Sequence, residues 1–393
     1  MATLPPAAFP FIEVTIDTKG LQPVAQRAPG VIAVVGVAGT TTTPENTPVV
    51  IETTDDAKAK FGATGALTAS LTLALKQSPR ASKVYGVRAA VTTGATPTIK
   101  YADALAALEG ADDVTFVTLA NETDVGANAG EGLRALLKHV EDSSSNGFKR
   151  LAVAMVDPAI AKTPGTDYVA TVKTKYASIK STVSRMVLVA ARGAMDGDGK
   201  AADVATAAMS AMAGRAPHIS PVLKPVFGLS IPVASQYGAS EIKGLSDENI
   251  IPIIDPALVP GESLHFAEAR CFTTLADLLD VDTVRTLDKV DFDLKAGLIG
   301  TVGDARITKA GMLTVKVRTE SILEGLLRSD VIAGYSVQIP VLDALSIPES
   351  ARSGADNNLI AEARASRVVP MLVSITYGPA VHLLRVSLAP KFT

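Results

Sequence analysis

The chain has 393 residues, 47% hydrophobic and 20% charged, with 37 Lys and Arg against 40 Asp and Glu and a net charge of −3. This describes a globular chain of two or three domains with a sizeable core. It excludes the basic excess that binding to nucleic acid or an acidic membrane surface needs.

The only cysteine, Cys271, leaves no partner for an intrachain disulfide and fits assembly in a reducing cytoplasm. The opening MATLPPAAFPFIEV has no basic stretch followed by an apolar one, so no secretory leader is expected. The longest apolar runs fall below the roughly 18 residues of a membrane helix.

Residues 1–29 are proline-rich. Within them Ile12, Val14 and Ile16 alternate with polar neighbours, a strand with one apolar face. Residues 31–38 (VIAVVGVA) predict a strand buried on both faces. A strand at 47–52 follows, then a short helix capped by Thr53 and closed at Gly62. Leu67, Leu71 and Leu75 share one helical face, and 83–89 returns as a strand.

The rhythm continues with strands at 113–119, 150–156 and 185–190. Helices at 131–142, 167–180 and 201–212 alternate with them. Such alternation predicts an α/β domain with a largely parallel sheet. Four prolines at 217, 221, 225 and 232 mark an irregular crossing.

Beyond 250, strands are expected at 249–254 and 264–272, and helices at 281–299 and 305–328. In the first helix Val281, Val284, Leu287, Val290, Leu294 and Leu298 form an apolar stripe. Its other face carries Asp282, Arg285, Asp288, Lys289, Asp291, Asp293 and Lys295, a solvated or partner-facing surface. A strand at 335–341 follows. The chain closes on a hairpin, 370–377 and 382–388, with Leu384, Val386 and Leu388 alternating in its last strand. Residues 19–30 and 353–365 read as flexible stretches, which the family resemblance given below would make hinges.

The motifs that suggest chemistry are incomplete. Gly36 and Gly39 follow a strand but lead into Thr40–Thr43 and Pro44 instead of a helix, so they form a turn. The 197–200 segment (GDGK) lacks the first glycine and the Ser/Thr of a phosphate loop. Asp196 and Asp198 begin a calcium loop that Lys200 and Ala201 break, which leaves a solvent turn. His139, His218, His265 and His382 have no zinc-ligand spacing. Cys271 reads as a small packed hydrophobe. No catalytic, cofactor or metal site is expected.

The order of elements resembles the contractile tail sheath proteins of phages and tailocins. The likeness is carried by 30–38, 46–51, the helices to Gly62 and Leu75, 83–88, the AEARCF strand with its following helix, 327–339 and the closing hairpin. Residues 95–249 match only as an α/β domain. The resemblance implies an α/β, α+β overall, subunit with an N-terminal arm (1–22), an outer domain (23–255) and an inner domain (256–393).

It further implies self-association as stacked hexameric rings around an inner tail tube protein, with baseplate and tail terminator proteins as further partners. The particle is a virion tail or injection machine assembled in the host cytoplasm. On this reading Ile12, Val14, Ile16, Leu384, Val386 and Leu388 belong to strands exchanged between subunits. Arg285, Asp288, Lys289 and Asp291 touch the tube. The chain is then a structural polymer and not an enzyme. Two other readings are a Rossmann-like enzyme on residues 30–250, and a capsid or baseplate protein.

Overall fold

The structure, a computed structural model, describes residues 28, 30–93, 97–259, 261, 263–382 and 384. The arm residues Ile12, Val14 and Ile16 lie outside the described residues, as do Val386, Leu388 and all of 19–30 except Ala28 and Gly30.

The first half is a doubly wound sheet. β1 (Val31–Gly36) is flanked by β3 (Lys83–Arg88) and β4 (Phe116–Leu119), both parallel to it. β5 (Leu151–Met155), β6 (Met186–Ala190) and β8 (Ile251–Ile254) extend the parallel run. β2 (Pro48–Ile51) closes one edge antiparallel to β3. At the other edge β9 (Leu264–Phe266) pairs antiparallel with β8 and β7 (Pro225–Val226). The order is β2-β3-β1-β4-β5-β6-β8-β9-β7.

Period-two alternation along β1 feeds two cores. Ile32 and Val34 join Phe61, Leu71, Phe116 and Met209 on one face. Val31, Ala33 and Val35 join Leu105, Leu136 and Tyr176 on the other. Each fully buried aliphatic side chain contributes about 1.5–3 kcal/mol, so the wholly apolar run is stable only inside such a sandwich.

The first face is covered by α1 (Thr54–Phe61), α2 (Ala66–Leu75) and α6 (Val204–Ala213). Thr53 caps α1, its Oγ1 accepting from the Asp56 N–H at 3.1 Å. α6 (VATAAMSAMA) is buried along its whole length, its small side chains letting it lie between sheet and α2. The second face carries α3 (Tyr101–Ala106), α4 (Gly132–Ser145), α5 (Tyr168–Tyr176) and α7 (Ala239–Asp247). The short helices α3 and α7 were not expected, because their apolar stripes span two turns at most.

The C-terminal body holds α8 (Val281–Leu298), α9 (Lys309–Arg328), β10 (Gly334–Gln338), α10 (Pro340–Ser346), α11 (Gly354–Ser366) and β11 (Leu372–Thr376). Its cores are small, one around Met312, Leu342 and Ile360 and one around Val290, Leu323 and Val337. The packing changes within α8 and not at residue 256. Leu264, Phe266, Cys271, Val281 and Val284 belong to the first core of the large sheet.

Three expected elements differ. The 264–272 strand stops at Phe266, although the Phe272 N–H still reaches the Met186 carbonyl at 2.7 Å. The 335–341 strand ends at Gln338, and Pro340 opens α10, where its fixed φ and missing N–H suit a first helical position. The 353–365 hinge is instead α11. Ser353 and Asp356 form a reciprocal capping box there, 2.9 and 3.2 Å, a sequence signal that was overlooked.

Candidate assembly surface

β10 and β11 form a two-stranded antiparallel ladder of their own, Tyr335 opposite Ile375 and Val337 opposite Val373. These four side chains face the core around Leu323 and Leu326. An isolated pair is marginal in water, and the helices beneath supply what it lacks. The opposite face, with Ser336, Gln338, Leu372, Ser374 and Thr376, is exposed. Among the described residues neither outer edge has a further strand. Such an edge presents unpaired N–H and C=O groups, a template for another chain. The same body exposes Ile299, Val302, Leu313, Val317 and Leu372. Leu384, expected in the closing strand, is 79% exposed.

The charged face of α8 divides in two. Arg285 is buried, its Nη atoms donating to the carbonyls of Met212 (3.0 Å) and Arg215 (2.7 Å). These carbonyls lie at the C-terminal end of α6, which leaves acceptors unmatched and favours a cation. The guanidinium also stacks 5.3 Å from the Phe116 ring centroid, and burial pushes its pKa down to about 10. Asp282 is buried and accepts from the Tyr377 hydroxyl at 2.5 Å. Asp288 accepts two bonds from Arg185.

Arg285 is therefore engaged inside the subunit, and Asp288, partly buried, is engaged by Arg185. Lys289 pairs with Asp293 at 2.8 Å, and Asp291 with the exposed Lys295 at 2.7 Å. Leu287, placed on the apolar stripe, is exposed instead. The rest of the stripe faces inward at Val281, Val284 and Val290, and the first half of the helix is buried over a wider arc that takes in Asp282, Arg285 and Thr286.

Doubly wound sheets bind ligands at the C-terminal ends of their parallel strands. A cleft of about 630 Å³ there is lined by Lys58, Ser70, Lys76, Asn121, Asp198 and Asp203 among others. Asp203, which sequence reasoning missed, caps α6 and accepts from Thr206 N–H (2.9 Å), Thr206 Oγ1 (2.6 Å), Ser70 Oγ (2.5 Å) and Asn121 N–H (2.9 Å). Three of these bonds converge on Oδ2 and one on Oδ1, so the carboxylate ties α2 and the turn after β4 to the start of α6.

Asp196 holds its own turn, accepting from the N–H groups of Asp198 and Lys200 at 2.9 Å each. Cys271 is fully buried, and desolvation pushes its thiol pKa up. Among the described residues no group of three His, Cys, Asp or Glu is placed to hold a metal, and no helix is long and apolar enough to cross a membrane.

No family model and no curated protein matches the chain. Solved structures do. A chain of the contracted anti-feeding prophage baseplate is 15% identical with a TM-score of 0.70, covering 98% of this chain and 99% of that one. The contracted sheath complex of the extracellular contractile injection system PVC is 14% identical with a TM-score of 0.66, covering 99% and 98%. A sheath tail protein from Desulfitobacterium hafniense is 15% identical with a TM-score of 0.58, covering 83% and 93%. The chain has the mixed α/β fold of contractile tail sheath proteins across nearly its whole length.

Proposed function

We propose that this chain is the structural subunit of a contractile sheath. Copies assemble as stacked six-fold rings around an inner tube, and the sleeve shortens and widens to drive the tube through a target envelope. The observation that carries this reading is the β10–β11 ladder, a sheet whose outer edges carry no further strand among the described residues, beside exposed apolar side chains. The sheath fold, matched over nearly the whole of both chains, agrees with it.

In the proposed assembly the arm, through Ile12, Val14 and Ile16, and the closing strand, through Leu384, Val386 and Leu388, complete ladders on neighbouring copies. Backbone hydrogen bonds give such junctions their strength and alternate side chains set their register. Each junction joins unlike surfaces, so the contact propagates along the sleeve. The C-terminal body lies inward, where Lys289 and Asp291 on α8 face the tube, and baseplate and terminator proteins close the two ends. Contraction draws on a difference in buried surface between two lattices, summed over many copies.

Negative-stain microscopy of the purified protein, alone and with its tube protein, tests the proposal. Rings or tubes are expected, and a chain lacking residues 1–22 should remain monomeric. Compact single particles from the intact chain under all conditions would overturn the reading.

A further inference from the structure

The nine-stranded sheet ends at β2 and β7, and side chains from the helical layer close both edges. In an antiparallel pair, alternate residues turn their N–H and C=O toward the neighbouring strand or away from it. The Ala89 N–H donates to Gly36 of β1, and the Arg88 carbonyl accepts from Asn46 on the β2 side. By that alternation Val84 and Gly86 face β2, and their partners Ile51 and Val49 face β3. Pro48, Val50 and Glu52 are left pointing outward.

A strand arriving there needs outward N–H and C=O groups. Pro48 has no N–H to offer. The Val50 carbonyl accepts from Lys60 Nζ at 2.8 Å, and the Glu52 N–H donates to Asp56 Oδ2 at 3.2 Å. Lys60 and Asp56 lie one turn apart on α1 and bond to each other at 3.1 Å, so each holds the other over the edge.

The far edge is closed by different residues. The Phe266 N–H donates to the Lys224 carbonyl, so Lys224 and Val226 face β9 while Pro225 and Phe227 point outward. Pro225 again lacks the N–H. Gln77, just beyond α2 and 3% exposed, takes both groups of Phe227. Its Oε1 accepts from the N–H at 2.9 Å, and its Nε2 donates to the carbonyl at 2.8 Å, as a neighbouring strand would. Among the described residues no side chain bonds to the backbone of β10 or β11, and neither strand contains proline.

We propose that Lys60 with Asp56, and Gln77, are edge caps that bar strands of a second copy of this chain from the nine-stranded sheet. Strand pairing between copies is thereby confined to the β10–β11 ladder. That confinement rests on the sheath reading, whereas the barring does not.

The test uses the full chain with Thr47→Cys, an exposed reporter at the start of β2; the sole native cysteine, Cys271, is fully buried. Lys60→Met and Lys60→Arg are added separately, and each variant is shown to be folded by its urea transition. Disulfide formation between copies is read on non-reducing gels, and particle form by negative-stain microscopy. Lys60→Met should raise the cross-linked fraction roughly tenfold. Lys60→Arg, which keeps a donor for the Val50 carbonyl, should behave as the parent. Leu223→Cys reports on β7 in the same way with Gln77→Leu; should that variant not fold, the Lys60 pair carries the test.

Equal cross-linking in the parent and Lys60→Met overturns the caps, and tubes formed by both would leave the sheath reading intact. A rise in Lys60→Arg as large as in Lys60→Met also overturns them, because loss of the Val50 bond would then not be the cause. A rise confined to Lys60→Met, in a chain that forms no rings or tubes under any condition, supports the caps and sinks the sheath reading.

Discussion

Both terminal nitrogens of Arg185, just before β6, donate to the carboxylate of Asp288 on α8, at 2.6 and 2.9 Å. The pair is 11% and 17% exposed and joins the sheet to the helix that carries the C-terminal body. Breaking a shielded pair leaves one uncompensated charge, at a cost of about 3 kcal/mol. Asp288→Asn should lower stability by about that amount in urea titration. Arg185→Met combined with Asp288→Leu should recover much of it, because no charge is then left buried.

Asp203 accepts four hydrogen bonds from three parts of the chain. Asp203→Ala removes a helix cap worth about 1 kcal/mol and strands the buried Ser70 and Thr206 hydroxyls at about 1–3 kcal/mol each. Urea titration should show one of the larger losses available to a single substitution here. Asp203→Asn, which keeps an acceptor, should lose less.

Acid should act in two windows. Burial, then the Arg150 cation, holds His139 down to about 4 from its ordinary 6.5. The unfolded chain binds that proton first, so this stability is complete above pH 6.5 and is lost as pH falls toward 4. Hydrogen bonds from Arg192 hold Glu241 down to about 2 from 4.5. Its contribution is complete above pH 4.5 and is lost as pH falls toward 2. Thermal melts across this range should show His139→Gln flattening the upper window and Glu241→Gln the lower one.

Gly86 lies in the middle of β3 where α1 and α2 cross. A Cβ there would stand 2.5 Å from the Phe61 ring and 3.0 Å from Leu71 Cδ1. Gly86→Ala should cost about 1–3 kcal/mol through overpacking, read by urea titration. Phe61→Leu should relieve part of that cost in the double variant.

The sheet was legible because its signals are local. The apolar run of β1, the Thr53 cap and the Leu67–Leu71 stripe each reflect the geometry of one segment. The capping box of α11 is equally local and was missed at Ser353 and Asp356. The burial of Arg285 on the charged face of α8 was not legible for a different reason. Periodicity fixes the angles between Arg285, Asp288 and Leu287 around a helix, but not which side meets the rest of the molecule.

The sequence by itself determined the alternating α/β architecture, the turns that close the incomplete motifs, and the order of elements that resembles a sheath. Only the tertiary structure decided that Arg285 points inward, because the carbonyls that satisfy it belong to Met212 and Arg215, some seventy residues earlier. Only it placed Tyr377 on Asp282, joining the end of the chain to the start of α8. A buried charge is tolerated only where partners converge on it, and that convergence depends on how distant segments pack.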